Sequence, residues 1–227
     1  MRRKTFVGTL SCLCVVLMAC GTAFAQQPKM KSGPYLGPIA PMAAAPAAPS
    51  ATGPFYSNLD INACTSCRYS TDNGYFILGP TNCFAPGATQ WIAVPFLSKK
   101  SGAVAQVQLS VTDSGFCVAG SNQFTVAIYS DSCATPGVPG TQIGNAVVAT
   151  APAAPCALAI ANFGAAGVNL VAATRYWVVV TTNGTATQNS TTAVWWMANL
   201  AQAPYNLNDG NGWVAFPDGA PGGFGVL

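Results

Sequence analysis

All the carboxylate chemistry open to this chain rests on six aspartates: Asp60, Asp72, Asp113, Asp131, Asp209 and Asp218. It has no glutamate and no histidine. A Ser-His-Asp or Cys-His relay therefore lacks its base, and a His-ligated zinc site lacks its ligand. A glycosidase would have to build its carboxylate pair from aspartates alone. At least three of the six, Asp72, Asp209 and Asp218, stand in glycine-containing, turn-like sequence. The expectation is a protein that is not an enzyme.

Four constellations could still carry chemistry. Asp113-Ser114-Gly115 resembles the Asp-Ser/Thr-Gly signature of aspartic proteases, but that mechanism needs two carboxylates sharing a proton, and no second such triplet occurs. Ordinary strand-to-turn chemistry explains the triplet as well. Cys64-Thr65-Ser66-Cys67 has the spacing of a redox pair or half a zinc site. It lacks the βαβ context of the first, and a Cys₄ site would want a second close pair. Asn206-Leu207-Asn208-Asp209-Gly210-Asn211-Gly212 is dense in side-chain oxygens, which calcium favours, yet the spacing is not that of an EF-hand. An Asx-rich turn without an ion is the expected reading. Tryptophans 91, 177, 195, 196 and 213 form the last group, since exposed indoles can stack on sugar rings. Trp195 and Trp196 are adjacent in a strand-like run, so their side chains leave on opposite faces. Val194 and the bulk of Trp196 favour Trp196 inside and Trp195 nearer solvent. Trp195 and Trp213 are thus the candidate ligand platforms, and no cofactor or metal is expected.

What must position these residues is a sheet. Strand patterns run over 75–78, 91–96, 104–111, 124–129, 146–149, 167–171, 174–182, 191–197 and 213–216. The pair 174–182 and 191–197 is the central one. Tyr176, Val178 and Val180 share one face, and Asn183-Gly184 follows as a hairpin signal, although the polar run 185–190 leaves a longer loop open. Pro136-Gly137-Val138-Pro139-Gly140 reads as a rigid loop. No window keeps a 3.6-residue period. The fold class expected is all-β, an antiparallel, jelly-roll-like β-sandwich stabilised by disulfides.

The ends of the chain speak to location. Met1-Arg2-Arg3-Lys4, an apolar run from Phe6 and Ala23-Phe24-Ala25 compose a secretory signal peptide over 1–25. Leu17-Met18-Ala19-Cys20 is also lipobox-like, so lipidation at Cys20 is an alternative route. Residues 26–54 hold seven prolines among Ala, Gly and Ser and read as an extended linker; 55–227 is the sandwich domain. Three of the nine basic residues lie in the signal segment, so the remainder carries six charges of each sign. Near-neutral charge argues against nucleic acid as a partner. A membrane enters only through lipid at Cys20. Beyond the signal segment stand Cys64, Cys67, Cys83, Cys117, Cys133 and Cys156, an even set that predicts a disulfide framework with no free thiol. Cys133–Cys156 is the preferred pair, bracketing one loop region.

Gln90-Trp91-Ile92-Ala93-Val94-Pro95-Phe96, then Ile128-Tyr129-Ser130-Asp131 with Pro136-Gly137-Val138-Pro139-Gly140, then Leu170, Ala172, Thr174, Tyr176 and Trp177 occur in this order. The set resembles the choice-of-anchor family of bacterial exported proteins, subtype R, over about 90–216. That resemblance implies a β-sandwich displayed outside the cell, with a C-terminal sorting signal and no established catalytic residues. Residues 221–227 depart from the pattern, having neither an apolar helix nor a basic tail. The sequence thus points to a secreted or cell-surface, non-enzymatic protein with a structural or adhesive role. The alternative is a carbohydrate-binding module that uses exposed tryptophans. Extracellular polysaccharide or surface proteins are the expected partners.

Overall fold

The computed structural model describes residues 53–59, 67–70, 73–116, 122–154, 156–198 and 203–227. All of them fall within one unit, Pro34–Leu227. The expected signal peptide, Cys20 and nearly all of the linker lie outside the described residues, as do Cys64 and Cys117. The strands are β1 (Tyr56–Ser57), β2 (Gly74–Leu78), β3 (Trp91–Leu97), β4 (Gly102–Val104), β5 (Gln106–Leu109), β6 (Val111–Asp113), β7 (Gln123–Asp131) and β8 (Pro139–Thr150). They continue as β9 (Ala159–Asn162), β10 (Val168–Leu170), β11 (Arg175–Thr181), β12 (Thr192–Trp196), β13 (Ala203–Asn208), β14 (Trp213–Gly219) and β15 (Phe224–Val226). One short 3-10 turn, η1 (Ala186–Ser190), joins β11 to β12, and there is no α-helix among the described residues.

Every strand pairing is antiparallel. One layer is a six-stranded sheet in the order β14-β13-β3-β11-β7-β8. The opposing side is built from β1-β15-β5-β9, β2-β12-β6 and the pair β10-β4. Strands far apart in sequence thus lie side by side, as a jelly-roll-like sandwich requires. Register follows hydrophobic alternation: Val178 on the central β11 faces Val94 on one side and Ile128 on the other. Ile92, Val94, Val126, Ile128, Val178 and Val180 point inward and meet Val107, Leu109, Trp195 and Phe224 from the other side in one buried core.

The central pair is not a hairpin. β11 belongs to the six-stranded sheet and β12 to the three-stranded one, so the connection crosses the sandwich. Neither Asn183 nor Gly184 takes the positive φ of a tight hairpin turn. Fully buried Gln188 redirects the chain: its Oε1 accepts from the Gly184 N–H at 2.8 Å, and its Nε2 donates to Thr125 Oγ1 at 2.9 Å. The polar run is therefore a structural link between layers.

The three-stranded sheet is covered on both faces. Ala193 and Trp195 join the main core, whereas Val194 and Trp196 pack with Leu59, Tyr69, Phe76 and Leu78 in a second one. Cys67 and Cys156, 89 residues apart with Cα atoms 5.2 Å apart, are bridged and tie this cover down. Beside the bridge, Tyr69 donates its hydroxyl to Ala157 O at 2.8 Å, and the Ser70 N–H bonds to Met197 O at 3.0 Å. The preferred Cys133–Cys156 pairing is thereby corrected. Cys156 is buried beside Cys67, while Cys133 is an exposed free thiol in the β7–β8 loop, so the expectation of no free thiol also falls. Cys83 is disulfide-bonded, with its partner outside the described residues.

Candidate functional site

The outer face of the six-stranded sheet carries a concave feature lined by aromatic and amide side chains. It is a shallow groove of about 300 Å³. Trp213 on β14, Asn208 on β13, Trp91 on β3 and Thr181 on β11 form a row across the strands, as their pairing shows: Asn208 faces Trp213 on one side and Trp91 on the other. Val179 and Ala127 make the floor, and Tyr129, Gln142 and Ala146 line the side toward β8. No charged side chain among the described residues lines it.

Each of these groups is held by its neighbours. The Trp91 indole N–H donates to Thr182 Oγ1 at 2.9 Å, and that buried hydroxyl donates to Leu78 O at 2.9 Å. The ring is thus fixed in orientation by its polar edge. Trp213 follows a turn built by Asn208, whose Oδ1 accepts from the Gly210 N–H at 2.8 Å and the Gly212 N–H at 3.3 Å. Gly210 and Gly212 sit at φ +96 and +122, backbone that side chains rarely adopt. The Asx-rich stretch is therefore turn chemistry that presents a tryptophan, with Asp209 Oδ1 likewise accepting from the Asn211 N–H at 3.1 Å. Tyr129 donates weakly to Gln142 Oε1 at 3.4 Å, and burial pushes its phenol above the ordinary value, so it stays a neutral donor at neutral pH.

Farther along the same face the sheet is roofed. The loop 132–138 leaves β7, crosses toward β13 and returns to β8. At its tip, Gly137 O accepts from Asn206 Nδ2 at 2.9 Å. At its base, Asp131 Oδ1 accepts from the Trp177 indole at 2.8 Å, and Asp131 Oδ2 lies 3.7 Å from Arg175 Nη1. Trp177 is only 1% exposed and Ala93 is fully buried, although both point away from the main core, and Tyr129 and Trp213 pack against them. The stretch read as a rigid loop is thus tied to β13 beyond the groove lining. Its second half, from Pro139, begins β8.

Trp213 lines the groove and is half-buried. Trp195 does not: it is fully buried, and its indole donates to Gly223 O at 2.9 Å. The expected division between Trp195 outside and Trp196 inside is overturned, because both faces of β12 are covered. Trp196, 8% exposed, donates to Thr112 Oγ1 at 2.7 Å. Trp91, counted among the tryptophans but not chosen as a platform, takes the place of Trp195. Period-two alternation in β3 could have revealed it, since Trp91, Ala93 and Pro95 lie opposite Ile92, Val94 and Phe96.

The remaining motifs resolve as structure. Asp113 Oδ1 accepts from the Gly115 N–H at 3.0 Å, and Gly115 sits at φ +69, so the Asp-Ser-Gly triplet closes a turn. Of the Cys-x-x-Cys pair, Cys67 is bonded to Cys156, and Cys64 lies outside the described residues. Compared with known proteins, the chain matches no family model and has no significant relative among curated sequences.

Proposed function

We propose that this is an exported, non-enzymatic β-sandwich that acts at or beyond the cell surface in adhesion, by holding a neutral saccharide in the groove around Trp91 and Trp213. The observation that carries this reading is the chemistry of that groove. Two half-buried indoles and a tyrosine flank a floor of small aliphatic groups, with amides and hydroxyls at the margins and no charge. Sugar rings need an apolar face to stack on and neutral hydrogen-bonding groups for their hydroxyl edges. Asp131, the aspartate placed beside this face, is engaged by Trp177 and Arg175 and lies outside the groove.

Export rests on the basic, apolar and small-residue pattern of residues 1–25 and on the Cys67–Cys156 bridge, which suits an oxidising compartment. The ordered motifs resembling choice-of-anchor proteins agree with surface display. Affinity electrophoresis of the native protein through gels containing neutral polysaccharides tests the reading. Retardation by at least one polymer, with no release of reducing ends, is the expected result. Unretarded migration in every gel, or hydrolysis of a retained polymer, contradicts it. N-terminal sequencing and lipid mass analysis of protein from its own host then decide between cleavage after Ala25 and lipid at Cys20.

A further inference from the structure

We infer that the groove takes the interior of a linear, flat, β-1,4-linked neutral polysaccharide lying across the strands, and not a single sugar or a chain end. This rests on the saccharide reading of the same site. Each of the six strands contributes to the lining, from Trp213 on β14 to Gln142 and Ala146 on β8. Five inter-strand steps make a track of about 24 Å. One long side is closed by the turn at Asn183 and Gly184. Its two ends run out at the sheet's edge strands, where Trp213 is half-exposed and Gln142 and Ala146 are exposed. A chain can therefore enter at one edge and leave at the other.

The spacing of the indoles selects the kind of chain. Trp213 and Trp91 flank Asn208 in one cross-strand row, two strand steps apart, or roughly 10 Å. A β-1,4-linked ribbon with a two-fold twist offers the same ring face again after each disaccharide, over a comparable distance. An α-1,4-linked chain curves and cannot lie flat on both indoles. The uncharged lining also selects against uronate or phosphorylated polymers, whose charges would find no partner there.

Titration calorimetry of the mature protein with the cello-, xylo- and chito-oligosaccharide series, from monomer to hexamer, tests this. In at least one series affinity should rise about tenfold or more from dimer to hexamer, with maltohexaose far weaker. Trp213→Ala, at the edge, should weaken the hexamer about tenfold while changing the dimer less than about twofold. Trp91→Phe keeps an aromatic surface if Trp91→Ala fails to fold, and should reduce hexamer affinity less than Trp213→Ala. A monomer or dimer that binds as tightly as the hexamer would overturn the extended track and leave the saccharide reading standing. Equal binding of maltohexaose would overturn the flat-ribbon assignment. Displacement of the hexamer by a proline-rich peptide at similar concentration would put a polypeptide in the groove. Absence of any saccharide binding would remove this inference and the function it rests on together.

Discussion

Two pairs of tryptophans, on opposite sides of the sandwich, have opposite fates. Trp195 and Trp196 are neighbours on one strand and are both buried, because β12 has a core on each face. Trp91 and Trp213 sit on different strands of the six-stranded sheet and are both half-buried, on the outer face away from the main core, where Trp213 and Tyr129 pack against Ala93, Trp177 and Val179. Strand geometry separates adjacent side chains, but it does not say which face has a second layer. That depends on distant segments: residues 67–70 and 158 for Trp196, and Phe224 with its preceding glycines for Trp195.

The largest effect should come from the buried pair. Trp195→Ala removes a fully enclosed indole and should destabilise the domain by ~3–5 kcal/mol, read as a fall in denaturation midpoint. Trp196→Ala should follow closely, since it also leaves Thr112 Oγ1 without its donor. A variant of either kind that melts like the parent would break the comparison.

Next is the clamp over Trp196. Replacing Cys67 and Cys156 together by serine should cost ~2–4 kcal/mol, because the bridge closes a loop of 89 residues. The same double change should leave saccharide binding intact in protein that remains folded. Slightly smaller is Gly222→Ala. A Cβ there would run into the Trp195 indole, so overpacking of ~1–3 kcal/mol is expected, measured by thermal melts.

Part of this arrangement was legible in the sequence and part was not. The all-β class and most strands followed from alternation in stretches such as Val104–Val111, although Ala105 and Ser110 divide that run among β4, β5 and β6. Ser110 turns its hydroxyl to Trp196 O at 2.6 Å and Gly223 O at 2.8 Å, and so serves the ends of two neighbouring strands. β13 was missed because Pro204, Asn206 and Asn208 depress strand propensity; sheet pairing on both sides overrides it. β15 was missed because it is short and glycine-flanked, yet those glycines let the chain pass against Trp195. The turn before Trp213 was legible in the run of asparagine, aspartate and glycine from Asn208 to Gly212. Exchanging Trp195 for Trp91 required knowing which face of each sheet is covered, and that is a property of tertiary packing.

A pH series tests buried Tyr69 and half-buried Tyr56 and Tyr129. Burial raises the phenols of Tyr69, Tyr56 and Tyr129 above their ordinary value of 10.0, and for Tyr69 a backbone contact at Cys156 only partly offsets it. The unfolded chain therefore releases these protons near pH 10 while the folded chain keeps them. Their contribution is fully present below that pH and is lost as pH rises through and beyond it. Urea midpoints should not change between pH 7 and 9 on account of these groups and should fall by pH 11; a flat profile to pH 11 would contradict their burial.

The smallest effect on stability should accompany the largest effect on function. Trp213 lies on an edge strand and is half-buried against the Ala93, Trp177 and Val179 cluster, so Trp213→Ala should cost roughly 1 kcal/mol, well below Trp195→Ala. The most direct test of the central claim is a paired measurement on this one variant: its thermal melt and its mobility in the polysaccharide gel that retards the parent. A melt within a few degrees of the parent with retardation lost is the result predicted here. Unchanged retardation in a folded Trp213→Ala protein would place recognition elsewhere and contradict the assignment of the groove.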